Sequence, residues 1–344
     1  MKFLGIEKPF CSKISRFVIY YGKTWLHQRF LKHKMKKVPV SVIVACYNNS
    51  TYLRECIESI NAQKSPSEII IVDDCSTDSS YQVAKQLVIE HENIKLLKTE
   101  SNSGAAAARK IGILAATEDF VAWVDSDDFI EFDAICDAYA RLHKEVDLCI
   151  FELWRWPVNG QPYKSNANPK NLPLSGNDAV IETLGGWRMH TAGVCRKNIY
   201  IDSYKDLNVN SFNSDEILSR LLLRKVRYVT GSPKRYFYRE NLQSTTQILN
   251  DKHLTRLQSN LWIVNLALEL KNPFFRKLVL NSIADAWLIY RKRDIFTKNI
   301  FFAELKVFLS SFLRINGIWR ILASSPKHFG ALLYLIAYTK LIKQ

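Results

Sequence analysis

No stretch of this 344-residue chain reaches the ~18 apolar residues that a membrane-spanning helix needs. The nearest candidate, Phe329 to Ile342, is short and broken by Lys340, so no spanning segment is expected. Leu4 to Ile19 is interrupted by Glu7, Lys8, Lys13 and Arg16, and a signal peptide's apolar core is missing there. Export is therefore disfavoured. The seven cysteines are odd in number and form no CxxC pair, which fits reduced thiols in a cytosol. HExxH is missing as well, so a zinc site has little support, and without GxxxxGK[ST] there is no P-loop. The turn after the first apolar run, Ala45-Cys46-Tyr47-Asn48-Asn49, has none of the glycines that a dinucleotide pyrophosphate requires, which disfavours NAD.

What is present is a folded-protein composition, 47% apolar with 24% charged residues, and this excludes the disordered and fibrous classes. The formal net charge of +15 is unevenly spread. Residues 1 to 38 carry ten Lys/Arg against Glu7, and residues 271 to 344 carry thirteen against Asp285, Asp294 and Glu304, which leaves 39 to 270 at −4. A nucleic-acid enzyme would line its groove with Lys and Arg, and here the groove region is slightly acidic, so no nucleic-acid partner is expected. Basic flanks rich in Phe, Leu, Ile, Trp and Tyr suit an anionic membrane surface, with a solvated helical face as the alternative.

From Val38 to Leu153 short apolar runs alternate with helical patterns, the signature of βαβ units and a parallel sheet. Strands are expected at Val40 to Ala45, Ile69 to Val72, Ile94 to Leu97, Phe120 to Val124 and Val146 to Phe151. Helices are expected from about Leu53, with Ser50 as a cap, then ending near Glu90, over Ala105 to Ala116 and around Asp133 to His143. Residues 155 to 178, rich in Pro, Asn, Gly and Ser, read as a long excursion or lid, and beyond about 250 the chain reads as nearly all helix. The expected organisation is a basic extension (1–38), an α/β domain (39–245) and a basic helical region (246–344).

A parallel sheet gathers ligand contacts at the carboxyl ends of its strands. Four segments fall there. Asp125-Ser126-Asp127-Asp128 follows Phe120 to Val124, and strand alternation would point Asp125 and Asp127 the same way, as ligands for a hard divalent cation. Mg²⁺ or Mn²⁺ so held takes its other ligands from water and substrate phosphates, which suggests a nucleotide-diphosphate substrate; a plain Asx turn is the alternative. Tyr47 offers a ring for stacking and Asn48 an amide. Asp73 and Asp74, with Ser76 and Asp78 following, offer acceptors for a base N–H or a ribose hydroxyl, or simply serve the turn. Asn102-Ser103-Gly104 opens a helix of tiny side chains whose amides can approach an anion, as any helix start can.

Together, Val42-Ile43-Val44-Ala45-Cys46-Tyr47-Asn48, Ile70-Ile71-Val72-Asp73-Asp74-Cys75-Ser76-Thr77-Asp78, Asn102-Ser103-Gly104 with Arg109, and Asp125-Ser126-Asp127-Asp128 resemble the family 2 glycosyltransferases of GT-A fold, of the bacterial surface-polysaccharide type. The resemblance covers roughly residues 38 to 245. It implies an α/β fold with a mostly parallel central sheet flanked by helices, and an inverting transfer from a nucleotide-diphosphate sugar, usually a UDP-sugar, to an acceptor hydroxyl. By the same resemblance Tyr47 and Asp74 contact base and ribose, while Asp125 and Asp127 hold the metal and the sugar nucleotide, with Asn48, Asp73, Ser76, Asn102, Arg109 and Ser126 around them.

An acceptor hydroxyl needs a base. The candidates are Asp215 and Glu216; the family commonly reads Glu-Asp here, and this chain reads Asp-Glu, which leaves the choice open. Tyr236-Phe237-Tyr238-Arg239 with Ser244 resembles the close of the family's catalytic domain, where Arg239 would pair with diphosphate; a strand with a surface Arg is the alternative. Trp154, Trp156 and Trp187 flank the expected acceptor side, where their rings would stack on sugars, with core packing as the equal alternative, and Gly185, Gly186 and Gly193 would permit close approach there. The expected acceptor is a glycan or lipid-linked glycan at the inner face of the plasma membrane. A catalytically inactive scaffold of the same fold and a metal-dependent nucleic-acid enzyme are the rival readings.

Overall fold

The computed structural model describes residues 38–62, 66–184, 188–207, 214–241 and 251–341. Most of the basic extension, together with Gly185, Gly186, Trp187, the stretch 208–213 and Ser244, lies outside the described residues.

Apolar runs become strands wherever helices cover both sheet faces. In β1 (Val38–Cys46) Val40, Val42 and Val44 pack on one face with Leu53, Ile57 and Ile60 of α1 (Leu53–Asn61), whereas Ile43 packs on the other. A strand buried on both sides reads as a near-continuous apolar run, which is why β1, interrupted at Ser41, and the Ile69 to Val72 stretch of β2 (Pro66–Asp73) were legible. Next come α2 (Ser80–Glu90), β3 (Ile94–Lys98), α3 (Ala105–Ala115) and β4 (Phe120–Trp123), then β5 (Phe129–Ile130), α4 (Ala134–Ala140) and β6 (Val146–Trp156). Short strands β7 (Tyr163–Lys164) and β8 (Leu174–Ser175) precede α5 (Gly176–Leu184), β9 (Gly193–Arg196), α6 (Lys197–Lys205), α7 (Ser214–Lys225) and β10 (Tyr228–Arg239).

The sheet runs β3-β2-β1-β4-β9-β6-β10-β5, with β7 beside β6 and β8 beside β10. β3, β2, β1 and β4 are parallel; β9 enters antiparallel to β4 and β6, and β6 and β10 are again parallel. Register pairs Cys46 with Asp73 and Asp73 with Lys98, so three strands finish level and their following loops form one edge.

Several expectations are corrected. Ser50 does not cap α1: the N-cap is Tyr52 without a side-chain bond, and the Ser50 N–H donates to Asp78 instead. Residues 155 to 178 are no free lid, because Asn168 bonds both the N–H and the carbonyl of Leu153 and ties the excursion to β6. Gly193 faces no acceptor. A Cβ there would stand 2.1 Å from the Cys149 carbonyl, so this glycine serves the close pairing of β9 with β6. Trp156 packs on Phe129 and Phe237, and Trp154 bonds Glu152 under Arg235, so both rings serve packing.

The helical region comprises α8 (Arg256–Glu269), α9 (Phe275–Arg291), α10 (Lys298–Phe312), α11 (Ile318–Ala323) and α12 (Pro326–Leu341). It has its own core around Leu257, Ile283, Leu305 and Phe308, and Leu266 and Ala267 of α8 join the cluster of Leu221 and Leu222 from α7. Among the described residues no helix is long and apolar enough to cross a membrane.

Candidate active site

The loops after β1 and β2 are fastened to each other. Asn48, at φ +50°, accepts the N–H groups of Thr77 and Asp78 with its side-chain oxygen and donates its own N–H to Ser76. Its neighbour Asn49, missed by sequence reasoning, donates to Ser126 Oγ at 2.9 Å and so joins these loops to the acidic quartet. Tyr47 is half-buried beside them.

Asp73 and Asp74 are both buried. Asp73 Oδ2 accepts the Ser76 N–H, and its Oδ1 accepts nothing among the described residues. Asp74 takes the Thr99 hydroxyl and the N–H groups of Ser103 and Gly104, at 2.7 to 3.0 Å. The anion at the start of α3 is thus the chain's own carboxylate, and Gly104, at φ +88°, supplies the turn that delivers its amide. Asn102 stands exposed beside this turn.

The quartet is a turn and does not continue β4: the Asp128 N–H donates to the Asp125 carbonyl, so strand alternation does not set the directions of Asp125 and Asp127. A buried tyrosine fixes the turn. Tyr236 Oη donates to Asp128 at 2.7 Å and accepts the Asp125 N–H at 3.1 Å. Burial, then the charges of Asp125 and Asp127, push the Asp128 carboxyl well above the usual range, against the bonds from Tyr236 and Arg239. Neither Asp128 nor Tyr236 was assigned this role from sequence, and nothing in the run Tyr236-Phe237-Tyr238 singles out the buried Tyr236.

Arg239 is anchored as well. It donates from Nε to the Asp127 carbonyl and from Nη2 to Glu55, and lies over the Tyr52 ring, so this is no loose surface arginine. Asn241 donates to Asp127 Oδ2 at 3.1 Å.

At the centre is Arg109, only 4% exposed, on α3. Its Nη2 meets Asp125 Oδ1 and its Nη1 meets Asp215 Oδ1, each at 2.5 Å, while the guanidinium lies 4.4 Å from the Trp123 ring. Burial alone would lower the Arg109 pKa; Asp125 and Asp215 outweigh it and hold the group charged. Burial raises Asp125, with Arg109 opposing and Asp215 and Asp127 adding to the rise.

The two base candidates part here. Asp215, with its side chain 57% exposed, faces Arg109 and the quartet, and its Oδ2 accepts nothing among the described residues. Glu216 pairs at 3.0 Å with Arg220, a buried arginine that also bonds the carbonyls of Glu216 and Thr183. One acid opens toward the site. The other secures α7.

Among the described residues no three His, Cys, Asp or Glu side chains form a ready-made metal cage. The donor set still fits a hard cation of the Mg²⁺ or Mn²⁺ kind. Such an ion needs only one or two protein carboxylates, and Asp125 Oδ2 and Asp127 Oδ1 are hard oxygens that accept nothing among the described residues.

Comparison with known proteins gives this site a context. The glycosyl transferase family 2 model matches residues 41–202. Glycosyltransferase GlyG of Streptococcus pneumoniae is 27% identical over 58% of this chain and 70% of its own length. The minor teichoic acid biosynthesis protein GgaA of Bacillus subtilis is 26% identical over 80% of this chain and 65% of its own. The chain spans about two thirds of the length of these two relatives. The crystal structure of S. aureus TarS 1-349 in complex with UDP-GlcNAc superposes with a TM-score of 0.59 at 20% identity, covering 80% of this chain and 82% of that one, and it shows the same GT-A architecture. Residues 41–202, which hold the Asn48, Asp74, Arg109 and Asp125 segments, are thus a domain that matches glycosyl transferase family 2.

Proposed function

We propose that the chain moves a sugar from a UDP-sugar to a hydroxyl of a cell-surface glycan or polyol-phosphate polymer, with inversion at the anomeric carbon. One observation carries this reading: a single buried guanidinium brings the acidic quartet and an otherwise open carboxylate of α7 to the same place. Support for the donor comes from S. aureus TarS, whose structures hold UDP-GlcNAc and UDP. Support for the acceptor comes from relatives described as a teichoic acid biosynthesis protein and as poly(ribitol-phosphate) transferases.

Asp125 and Asp127 would hold the cation, which when bound neutralises charge on the leaving diphosphate. Asp215 is the base. The acceptor oxygen forms its bond to the anomeric carbon as the bond to the diphosphate oxygen breaks, and the acceptor proton passes to Asp215 Oδ2. Arg109 holds Asp215 by Oδ1 and leaves that second oxygen toward the acceptor. Tyr236 and Asn49 fix the quartet from beneath.

The reading extends to a peripheral position on an anionic membrane. Trp319, Leu333 and Tyr334 are each about half exposed on α11 and α12, in a region rich in Lys and Arg. The decisive measurement is product analysis with a panel of UDP-sugars and Mn²⁺, using the wild type and Asp127→Ala. Wild-type transfer that Asp127→Ala lacks, in a variant with an unchanged melting temperature, supports the assignment; equal turnover by the two proteins would sink it.

A further inference from the structure

Away from the transfer site, a cavity of about 460 Å³ opens between the first turns of α9 and the start of α12. Its polar wall is Arg276, Lys277, Asn281 and His328, over an apolar floor that includes Phe274 and Leu280, and no acidic side chain lines it. Some neighbouring cations find acids, Arg224 with Glu269 and Arg256 with Asp285. Among the described residues neither Arg276 nor Lys277 meets a carboxylate, and Arg276 donates only to Ser324 Oγ at 3.2 Å, which steadies the guanidinium without neutralising it. His328 is held through Nδ1 by Ser325 at 2.7 Å.

The cavity is connected to the transfer site by one short segment. The Arg188 guanidinium lies 5.7 Å from the ring of Phe274, in the cavity floor. Three residues on, Thr191 bonds Ser219 at 3.0 Å, and Ser219 Oγ donates to the carbonyl of Asp215. A planar guanidinium fork beside an ammonium is suited to phosphate oxygens, and an apolar floor suits the carbon chain that links one phosphodiester to the next.

We propose that this cavity is a subsite for a phosphodiester of the acceptor, bound at a distance from the hydroxyl that receives the sugar. The proposal rests on the reading of the chain as a glycosyltransferase of cell-surface polymers.

Its test is calorimetric titration of the full chain with a short glycerol-phosphate oligomer, with inorganic phosphate and with phosphatidylglycerol vesicles. The proteins compared are wild type, Lys277→Ala, Arg276→Ala and the double variant. Lys277 bonds nothing among the described residues, so its variant keeps the fold. Each cation removed should cost about tenfold in oligomer affinity and flatten its salt dependence, while UDP affinity stays unchanged. Equal oligomer affinity in the wild type and the double variant overturns the proposal. So does a wild type that ignores the oligomer and binds only the vesicles, because the cations then serve a lipid headgroup. UDP-sugar hydrolysis is scored separately: its absence counts against the transferase reading and leaves the oligomer comparison standing.

Discussion

Two sets of carboxylates occupy opposite ends of one sheet, and their surroundings differ. At the amino ends of the strands, Asp147 accepts four bonds, from Arg196 Nε and from the Nη2, Nε and backbone N–H of Arg227. Glu68 accepts from Ser41, Lys95 and Thr117. Burial alone would raise both carboxyls, yet these donors outweigh it, holding Asp147 below its usual range and Glu68 at about 2. At the carboxyl ends Asp125, Asp127 and Asp128 crowd one turn, and both Asp125 and Asp128 are raised. One end satisfies its charges. The other keeps like charges together, the pattern expected where a ligand or cation completes the site.

The largest effect that sharpens this contrast concerns Asp215. Asp215→Asn should lower kcat by about 10³-fold and change the melting temperature little, since buried Arg109 keeps Asp125 as a charged partner. Glu216→Gln should do the reverse: a small change in kcat with a lower melting temperature, because Arg220 is buried and loses its charged partner. Steady-state kinetics beside thermal melts will read both. A Glu216 variant that is stable but inactive would exchange the two roles.

A smaller effect is expected at the amino end. Asp147→Ala removes the acceptor of four hydrogen bonds and leaves Arg196 and Arg227 partly exposed, so urea unfolding should show a loss of about 3 kcal/mol. The kcat of the folded protein should not change. A selective fall in kcat at undiminished stability would mean that the two ends are coupled and that the contrast drawn here is wrong.

The same contrast explains what could be read from sequence. Strands such as Val40 to Val44 and Ile69 to Val72 were legible because helices on both sheet faces call for apolar residues at nearly every position, with Ser41 the exception. β9 was not: it is four residues long, and Gly193 answers to a backbone 44 positions away. The quartet, Asp74 and Asp215 stood out as acids at loop positions. Their partners did not, because Arg109 meets Asp215 across 106 residues and Tyr236 meets Asp128 across 108. Local pattern reveals which groups carry charge, and the fold alone decides which of them meet.

The smallest effect is a pH dependence set by a group in neither set of carboxylates. His190 is buried beside β6, and burial lowers its pKa from 6.5 to about 4. Between those values the unfolded chain binds a proton that the native chain refuses, so stability is present above pH 6.5 and is lost as pH falls toward 4. At pH 5.5 the loss is about 1 kcal/mol. Glu68 acts later and in the same direction: its lowered carboxyl contributes stability above about pH 4.5 that disappears as pH falls through about 2. Asp128 has the opposite slope, since its raised carboxyl binds a proton more readily in the folded chain. Subtracting the urea-derived stability of His190→Gln from that of the wild type at each pH cancels Asp128 and Glu68, which both proteins share. The difference should shrink by about 1 kcal/mol between pH 7 and 5.5. A flat difference would show that His190 accepts its proton in the native state, and the acid-side loss would then belong to the carboxylates alone.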